Sequence, residues 1–427
     1  MKVLWLCNIM LPAIAEALGC QPSNKEGWLS GLVSALNKNQ QENGIALAVA
    51  FPTDKELDGC KGRIESLTYY GFLENTAAPE IYDVGLEERL KRIVEDYNPD
   101  VIHCFGTEFP HTLAMTKIMA KTDKVLIGVQ GLCTCCAEVY MADLPEKIQN
   151  KVTFRDFVRK DSLKKQQQKF SRRGEHERRA IQLVKHITGR TEWDREQVLS
   201  WNPGASYYVM NETLRSDFYR DVWQAENSVP HRIFVSQGDY PLKGLHYVLE
   251  AMPDIVKKYP DTTLVVAGNP IIREKTLQGR IKVSAYGAYI EQLLERNGLQ
   301  DKVVFLGKCN AEEMKAAYLQ SSLFLCPSSV ENSPNSLGEA MLLGMPCIAA
   351  KVGGIPSLFT DGVDGIMYQG GAKALADAVL RMWAEKDAGR TFGKNAREHA
   401  LKTHDGEANY QRLIEIYQII AGSGKEE

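Results

Sequence analysis

No stretch of the chain approaches 18 consecutive apolar residues, so it offers no candidate for a membrane-crossing helix, and no long apolar leader follows Met1. A strong charge of either sign is also missing: 51 Lys and Arg against 54 Asp and Glu leave a formal net charge of -3. Such a chain has no global attraction for nucleic acid or for an anionic surface, and any such attraction has to be local. No Asp-x-Asp stands at the end of an apparent strand. The neighbouring Cys133, Cys135 and Cys136 have no second pair at zinc-site spacing. A protein without a metal or other cofactor is the expectation. The ten cysteines, several of them in apparent core strands (Cys7, Cys104, Cys326, Cys347), read as small buried thiols in a reducing compartment, and the cytoplasm is the expected location.

What is present is a globular composition, 44% hydrophobic and 25% charged over 427 residues. Short apolar runs alternate with amphipathic stretches: "KVLWLC", "IALAVAF", "DVIHCF" and "KVLIGVQ" in the first half, then "RIFVSQ", "TLVVAG", "KVVFLG", "LFLCPS" and "MPCIAA" in the second. Strand and helix in regular alternation imply parallel sheets with crossover helices. The fold class is α/β, with two Rossmann-like domains facing across a cleft at their strand C-terminal ends. We place the first domain at 1–225, with a basic helical insertion near 146–190, and the second at 231–403. Residues 404–427 form a C-terminal helix and tail that packs back on the first domain. The polar stretch "RDVWQAENSVPHR", 220–232, is the expected linker. The insertion holds fourteen Lys and Arg against five acids and reads as helical from 155 to 187. It is either a solvated helix face or a basic surface for anionic lipid headgroups or a lipid-linked diphosphate.

The stretch "ENSPNSLGEAM" sets Glu331 and Glu339 eight residues apart around a proline. In one continuous helix they would stand about 80° apart, too far to share a face. Pro334 fits the first helical position and Ser333 the N-cap, so a helix is expected to start at Pro334. Glu331 then lies in the loop before the helix and Glu339 on its second turn. The amides of Asn335 and Ser336 lie free between them, a setting for an anion flanked by hydroxyls.

Together with "GDYPLKG", "VVFLGKCNAEEMKAAYLQSSLFLCPS" and "ENSPNSLGEAMLLGMPCIAAKVGGIPSLFTDGVDG", this stretch resembles the C-terminal domain of retaining GT-B glycosyltransferases of family 4, the glycosyl transferases group 1. In the N-terminal half "GWLSGLVSAL", "DVIHCFGTEFPH" and "ITGRTEWD" look like the bacterial capsular and exopolysaccharide branch.

The resemblance implies a transferase that moves a sugar, from a UDP-sugar in our expectation, to a glycan or lipid-linked acceptor with retention at the anomeric carbon. It implies a role in surface polysaccharide assembly; peripheral contact with the cytoplasmic face of the membrane is what the basic insertion would add if it is a lipid-facing surface. By the same resemblance Glu331 engages the donor sugar, Glu339 takes the ribose hydroxyls, and the amides from Asn332 and Ser333 to Asn335 and Ser336 take sugar and phosphate oxygens. Lys243 neutralises the leaving diphosphate, Gly27 approaches it, and Gly307 with Lys308 lies beside the base. Glu108, and after it His111, could orient the acceptor hydroxyl or take its proton. Two departures stand out: Gly238 occupies the place of a family arginine, and Phe105 that of a family histidine. Arg190 is the candidate substitute cation, or else a structural partner of Glu192 or Asp194, and His103 reads as a core residue. Two other classes remain open, a non-catalytic scaffold that binds the nucleotide sugar and an epimerase or hydrolase on the same fold.

Overall fold

The alternation of strands and helices folds into two units in the computed structural model, which describes residues 1–21, 27–38, 43–272, 282–385 and 387–423. Unit 1 comprises 1–137, 169–214 and 404–427, and unit 2 comprises 138–168 and 215–403. The helices that position the residues of interest are, in chain order, α1 (Gly27–Lys38), α2 (Pro110–Ile118), α3 (Cys133–Glu138), α4 (Phe154–Arg159), α5 (Leu163–Gln182), α6 (Leu245–Lys258), α7 (Ala285–Arg296), α8 (Asn335–Leu342) and α9 (Gly406–Ser423).

Unit 1 is built on β1 (Lys2–Leu6), β2 (Ala46–Thr53), β3 (Lys61–Ile64), β4 (Leu67–Leu73), β5 (Val101–Phe105), β6 (Val125–Gly128), β7 (His186–Gly189) and β8 (Ser206–Val209), in the order β3-β4-β2-β1-β5-β6-β7-β8. All pairings are parallel except that of β3 with β4, a hairpin whose turn holds Glu65 at φ 51. Strands buried on both faces read as unbroken apolar runs, as "KVLWL" and "VIHCF" do. One face of this sheet, through Val3, Trp5, Val49, Phe51 and Phe105, packs with Leu413, Ile416, Tyr417 and Ile420 of α9.

Unit 2 is built on β9 (Val229–Val235), β10 (Thr263–Ala267), β11 (Val303–Gly307), β12 (Ser321–Cys326), β13 (Cys347–Ala350) and β14 (Ile366–Tyr368), all parallel, in the order β11-β10-β9-β12-β13-β14. The chain order doubles back beside β9 and β12, and loops after neighbouring strands diverge there to leave room for a ligand.

The structure differs from the sequence reading in three places. The helix expected over 155–187 is two helices, α4 and α5, because Lys160 closes α4 in the left-handed conformation at φ 51. The basic insertion is divided, 138–168 lying in unit 2 and 169–214 in unit 1. The expected linker lies wholly in unit 2: Trp223 is buried, its backbone N–H donates to the carbonyl of Leu343 at 2.7 Å and its indole N–H to that of Ser321 at 2.8 Å, and Pro230 is already in β9.

Candidate functional site

The residues of interest in unit 2 stand at the C-terminal ends of β9 and β12. After β12 the chain leaves through Pro327, Ser328 and Ser329 to the loop that carries Glu331, and α8 follows. The helix starts one residue later than expected. Its N-cap is Pro334, in extended backbone at φ -70 and ψ 110, and not Ser333; a proline offers no side-chain cap. The first-turn amides of Asn335 and Ser336 have no carbonyl one turn back to bond, which leaves a positive helix end beside Glu331.

Glu331 is held from two sides. Its Oε1 accepts from Lys243 Nζ at 2.5 Å and from Ser328 Oγ at 2.7 Å. Its carbonyl accepts from Gly354 N at 2.9 Å. Gly353 sits at φ 50 so close to that carbonyl that a Cβ would lie 2.0 Å from the oxygen. On the other side Lys243 ends the short turn Pro241–Lys243, and Gly244 at φ 71 carries the chain into α6. A Cβ on Gly244 would stand 1.9 Å from the carbonyl oxygen of Pro327. Both ends of the ion pair are therefore set by glycines that let backbone segments meet. Burial works against the Lys243 ammonium, but Glu331 and Tyr240 outweigh it and hold the pKa well above the usual lysine value. Ser328 also lines a cavity of about 420 Å³ whose wall includes Tyr247, Ser329 and Lys351.

Glu339, on the second turn of α8, is 4% exposed. Its Oε1 accepts from Arg215 Nε at 2.7 Å and from Arg215 Nη2 at 2.6 Å. Burial raises its pKa to about 7, against the pull of Arg215. Arg215 was not singled out by the sequence, where it is one basic residue ahead of a short helix and 124 positions from its partner. Tyr318 donates to the carbonyl of Ser336 at 2.9 Å and so fixes the first turn of α8 from behind. Asn332 is buried in the same loop. Gly307 ends β11 at φ 77 and its carbonyl accepts from Gly268 N at 3.0 Å, while Lys308 beyond it is exposed. At Gly238 a Cβ would come within 2.8 Å of Leu245 and 3.0 Å of Val266, so a larger residue there has to displace core side chains.

The remaining candidates belong to unit 1. Glu108, between β5 and α2, accepts from Gly131 N through Oε1 at 2.9 Å. Among the described residues its Oε2 has no hydrogen-bond partner, and it lies over Gly106, where a Cβ would be 2.1 Å away. His111, in the first turn of α2, is fully buried, with Nδ1 2.6 Å from Glu74 Oε2 and Nε2 3.0 Å from Asn8 Oδ1. His103 is buried in β5, its pKa pushed down to about 3 by burial, and its Nδ1 is 2.8 Å from the hydroxyl of Tyr417. The Arg190 guanidinium pairs with Glu212 at 2.6 Å and donates to the carbonyls of Val129 and Gln130. Its backbone N–H donates to Asp194 Oδ2 at 3.0 Å. Gly27 is the first residue of α1, and its surroundings lie outside the described residues. Cys133 and Thr134 open α3 over the buried Glu177, which accepts from both backbone N–H groups and from Thr107. Among the described residues no three His, Cys, Asp or Glu side chains gather as a metal ion would require.

Known proteins resemble unit 2 in sequence and the whole chain in fold. Residues 217–399 match the family model of the glycosyl transferases group 1. A D-inositol 3-phosphate glycosyltransferase of Corynebacterium urealyticum is 27% identical over 186 residues, which is 42% of this chain and 41% of that protein. The chain spans under half the length of the curated relatives it matches. Among solved structures, the sucrose-phosphate synthase of Thermosynechococcus elongatus superposes with a TM-score of 0.70 at 16% identity, covering 99% of this chain and 100% of that one. HepE of Anabaena, solved in complex with UDP-glucose, gives 0.62 at 16% identity, covering 97% and 98%. Two parallel-sheet α/β domains with these neighbours make the architecture GT-B.

Proposed function

We propose that the chain is a glycosyltransferase that moves a sugar from a nucleotide donor to a glycan or lipid-linked acceptor, with retention at the anomeric carbon. The observation that carries this reading is the Lys243–Glu331 pair, set by close-packed glycines beside the open start of α8, with Glu339 one turn further on. A helix start and a lysine together favour a diphosphate, and carboxylates on its two sides accept from sugar and ribose hydroxyls. A UDP-sugar is the donor we favour, because HepE, which has the same fold, was solved with UDP-glucose. Surface polysaccharide assembly at the cytoplasmic membrane face is the role we favour.

In the step proposed, the bond between the anomeric carbon and the diphosphate oxygen breaks with its electron pair going to phosphate. The acceptor oxygen bonds to the same face of that carbon, and its proton passes to the departing phosphate. Lys243 and the amides of α8 offset the charge gained by the leaving group, and Glu331 faces the positive charge that develops on the sugar. With that charge supplied by protein groups, turnover should survive chelation of divalent ions. Glu108, with its unpartnered Oε2, is the acceptor-side candidate in unit 1. Gly27, Arg190, Gly307 and Lys308 stay as donor-side candidates. For Arg190 the role requires leaving Glu212, so donor-induced loss of that pair is what a liganded structure should display.

The test is sugar transfer from a panel of nucleotide sugars by the wild type and by Glu331→Gln and Lys243→Ala. Removing one preorganised electrostatic group should lower kcat roughly 100-fold or more. Melting temperatures should change little, since both side chains are partly exposed. Undiminished transfer by both variants would rule the site out. A scaffold is the second reading, and the blocked position at Gly238 favours it. Donor binding by the wild type without transfer to any acceptor would establish it.

A further inference from the structure

We propose that α4 and its flanks form a docking surface for an anionic lipid bilayer. The reading builds on the membrane-facing part of the proposed function and moves the contact to residues that the charge count did not reveal. It is independent of the sugar transferred.

Apolar exposure is concentrated on one short stretch of unit 2. Phe157 is 74% exposed, Phe154 66%, Val158 61% and Val152 57%. Phe154, Phe157 and Val158 stand at i, i+3 and i+4 and so share one face of α4. The opposite face is anchored. Thr153 and Asp156 form a complete capping box, and the Asp156 carboxylate, 2% exposed, accepts from Ala285 N at the start of α7 at 2.9 Å. Arg155 ties Asp156 to Asp161 at 3.0 and 3.5 Å. Two phenylalanines are thus held outward on a fixed element.

The flanks supply the sign of the partner. Lys151, Arg159, Lys160, Lys164 and Lys165 are all exposed, and the acids of this stretch, Asp156 and Asp161, are both drawn to Arg155. Lysine is depleted from the cores of protein interfaces, whereas aromatic residues among lysines suit the boundary between acyl chains and phosphate headgroups. By contrast Arg173, counted from sequence with the same basic segment, lies in unit 1 over the ring of Phe170 and donates to the carbonyl of Glu108.

Flotation of the full chain with equimolar phosphatidylglycerol and phosphatidylcholine vesicles tests this. The wild type should float with these and not with phosphatidylcholine alone, and added salt should weaken the binding. Phe154→Gln/Phe157→Gln and Lys164→Glu/Lys165→Glu should each lower the bound fraction roughly tenfold. Both should keep the wild-type melting temperature and affinity for UDP-glucose. Equal flotation by the phenylalanine variant would overturn the proposal. So would absence of flotation, including a wild type that instead forms a dimer dissociated by the same substitutions. A chain that floats but transfers no sugar would defeat the proposed function and leave this inference standing.

Discussion

With Glu339 as the proposed partner of the donor ribose, its pairing with Arg215 sets the conditions for donor binding. The carboxylate is buried and both guanidinium contacts fall on Oε1, so accepting two ribose hydroxyls calls for an ionised group with its other oxygen available. Burial raises the Glu339 pKa to about 7 from the usual carboxylate range. The sign follows. Below pH 7 the empty protein binds a proton that donor binding has to expel, so affinity should weaken as pH falls, by up to about tenfold per unit. Above pH 7 it should level off. The same shift makes the empty fold gain stability as pH falls from 7 toward the unfolded carboxylate value and lose it as pH rises through 7. Calorimetric titration with UDP-glucose, a diphosphate diester that does not itself titrate in this range, checks the binding arm from pH 5.5 to 8.5. In Glu339→Gln the slope should vanish. A slope that persists in that variant places the proton elsewhere.

At the scale of elements, the site depends on loops that only glycine allows. Gly353→Ala would set a Cβ against the Glu331 carbonyl at 2.0 Å, at a positive φ that alanine disfavours. The loop has to shift, taking Glu331 from Lys243 while α8 and its neighbours stay packed. Transfer should fall at least ~10-fold, since small misplacements of a catalytic group are costly, with only about 1 to 2 kcal/mol lost in urea unfolding. Loss of the fold with the activity would mean that the loop is structural. The sequence displayed much of this element: Pro334 marked the helix start, and the two glutamates fell on either side of it. The cap moved by one residue because Pro334 itself takes the extended backbone of an N-cap, at φ -70 and ψ 110. The break at Lys160 escaped notice because a lysine in left-handed conformation leaves no compositional mark. The edge strand β3, "KGRI", was equally silent, since it is half exposed and has no apolar alternation. Arg215 could not be found at all, because its meaning rests on a contact 124 residues away.

On the scale of the whole molecule, unit 1 is assembled from three separated stretches of chain, and its last one, α9, arrives only after all of unit 2 has been traversed. Hydrophobic contact alone would hold α9 against the sheet in many registers. A polar relay selects one. The Trp5 indole N–H donates to the Tyr417 hydroxyl at 2.8 Å, and the hydroxyl stands 2.8 Å from His103 Nδ1. With its pKa pushed down to about 3, His103 is neutral, and its Nδ1 shares a hydrogen bond with that hydroxyl. Tyr417→Phe would keep the ring in the core and leave the indole donor and the imidazole Nδ1 buried without this partner. Each such group costs about 1 to 3 kcal/mol, so unit 1 should lose on the order of 2 to 4 kcal/mol. Unit 2, which holds Lys243, Glu331 and Glu339, should keep its affinity for UDP-glucose. Scanning calorimetry should therefore record a lowered transition for unit 1, with the transition that UDP-glucose stabilises left in place. A variant within about 0.5 kcal/mol of the wild type would show that apolar packing alone fixes the helix.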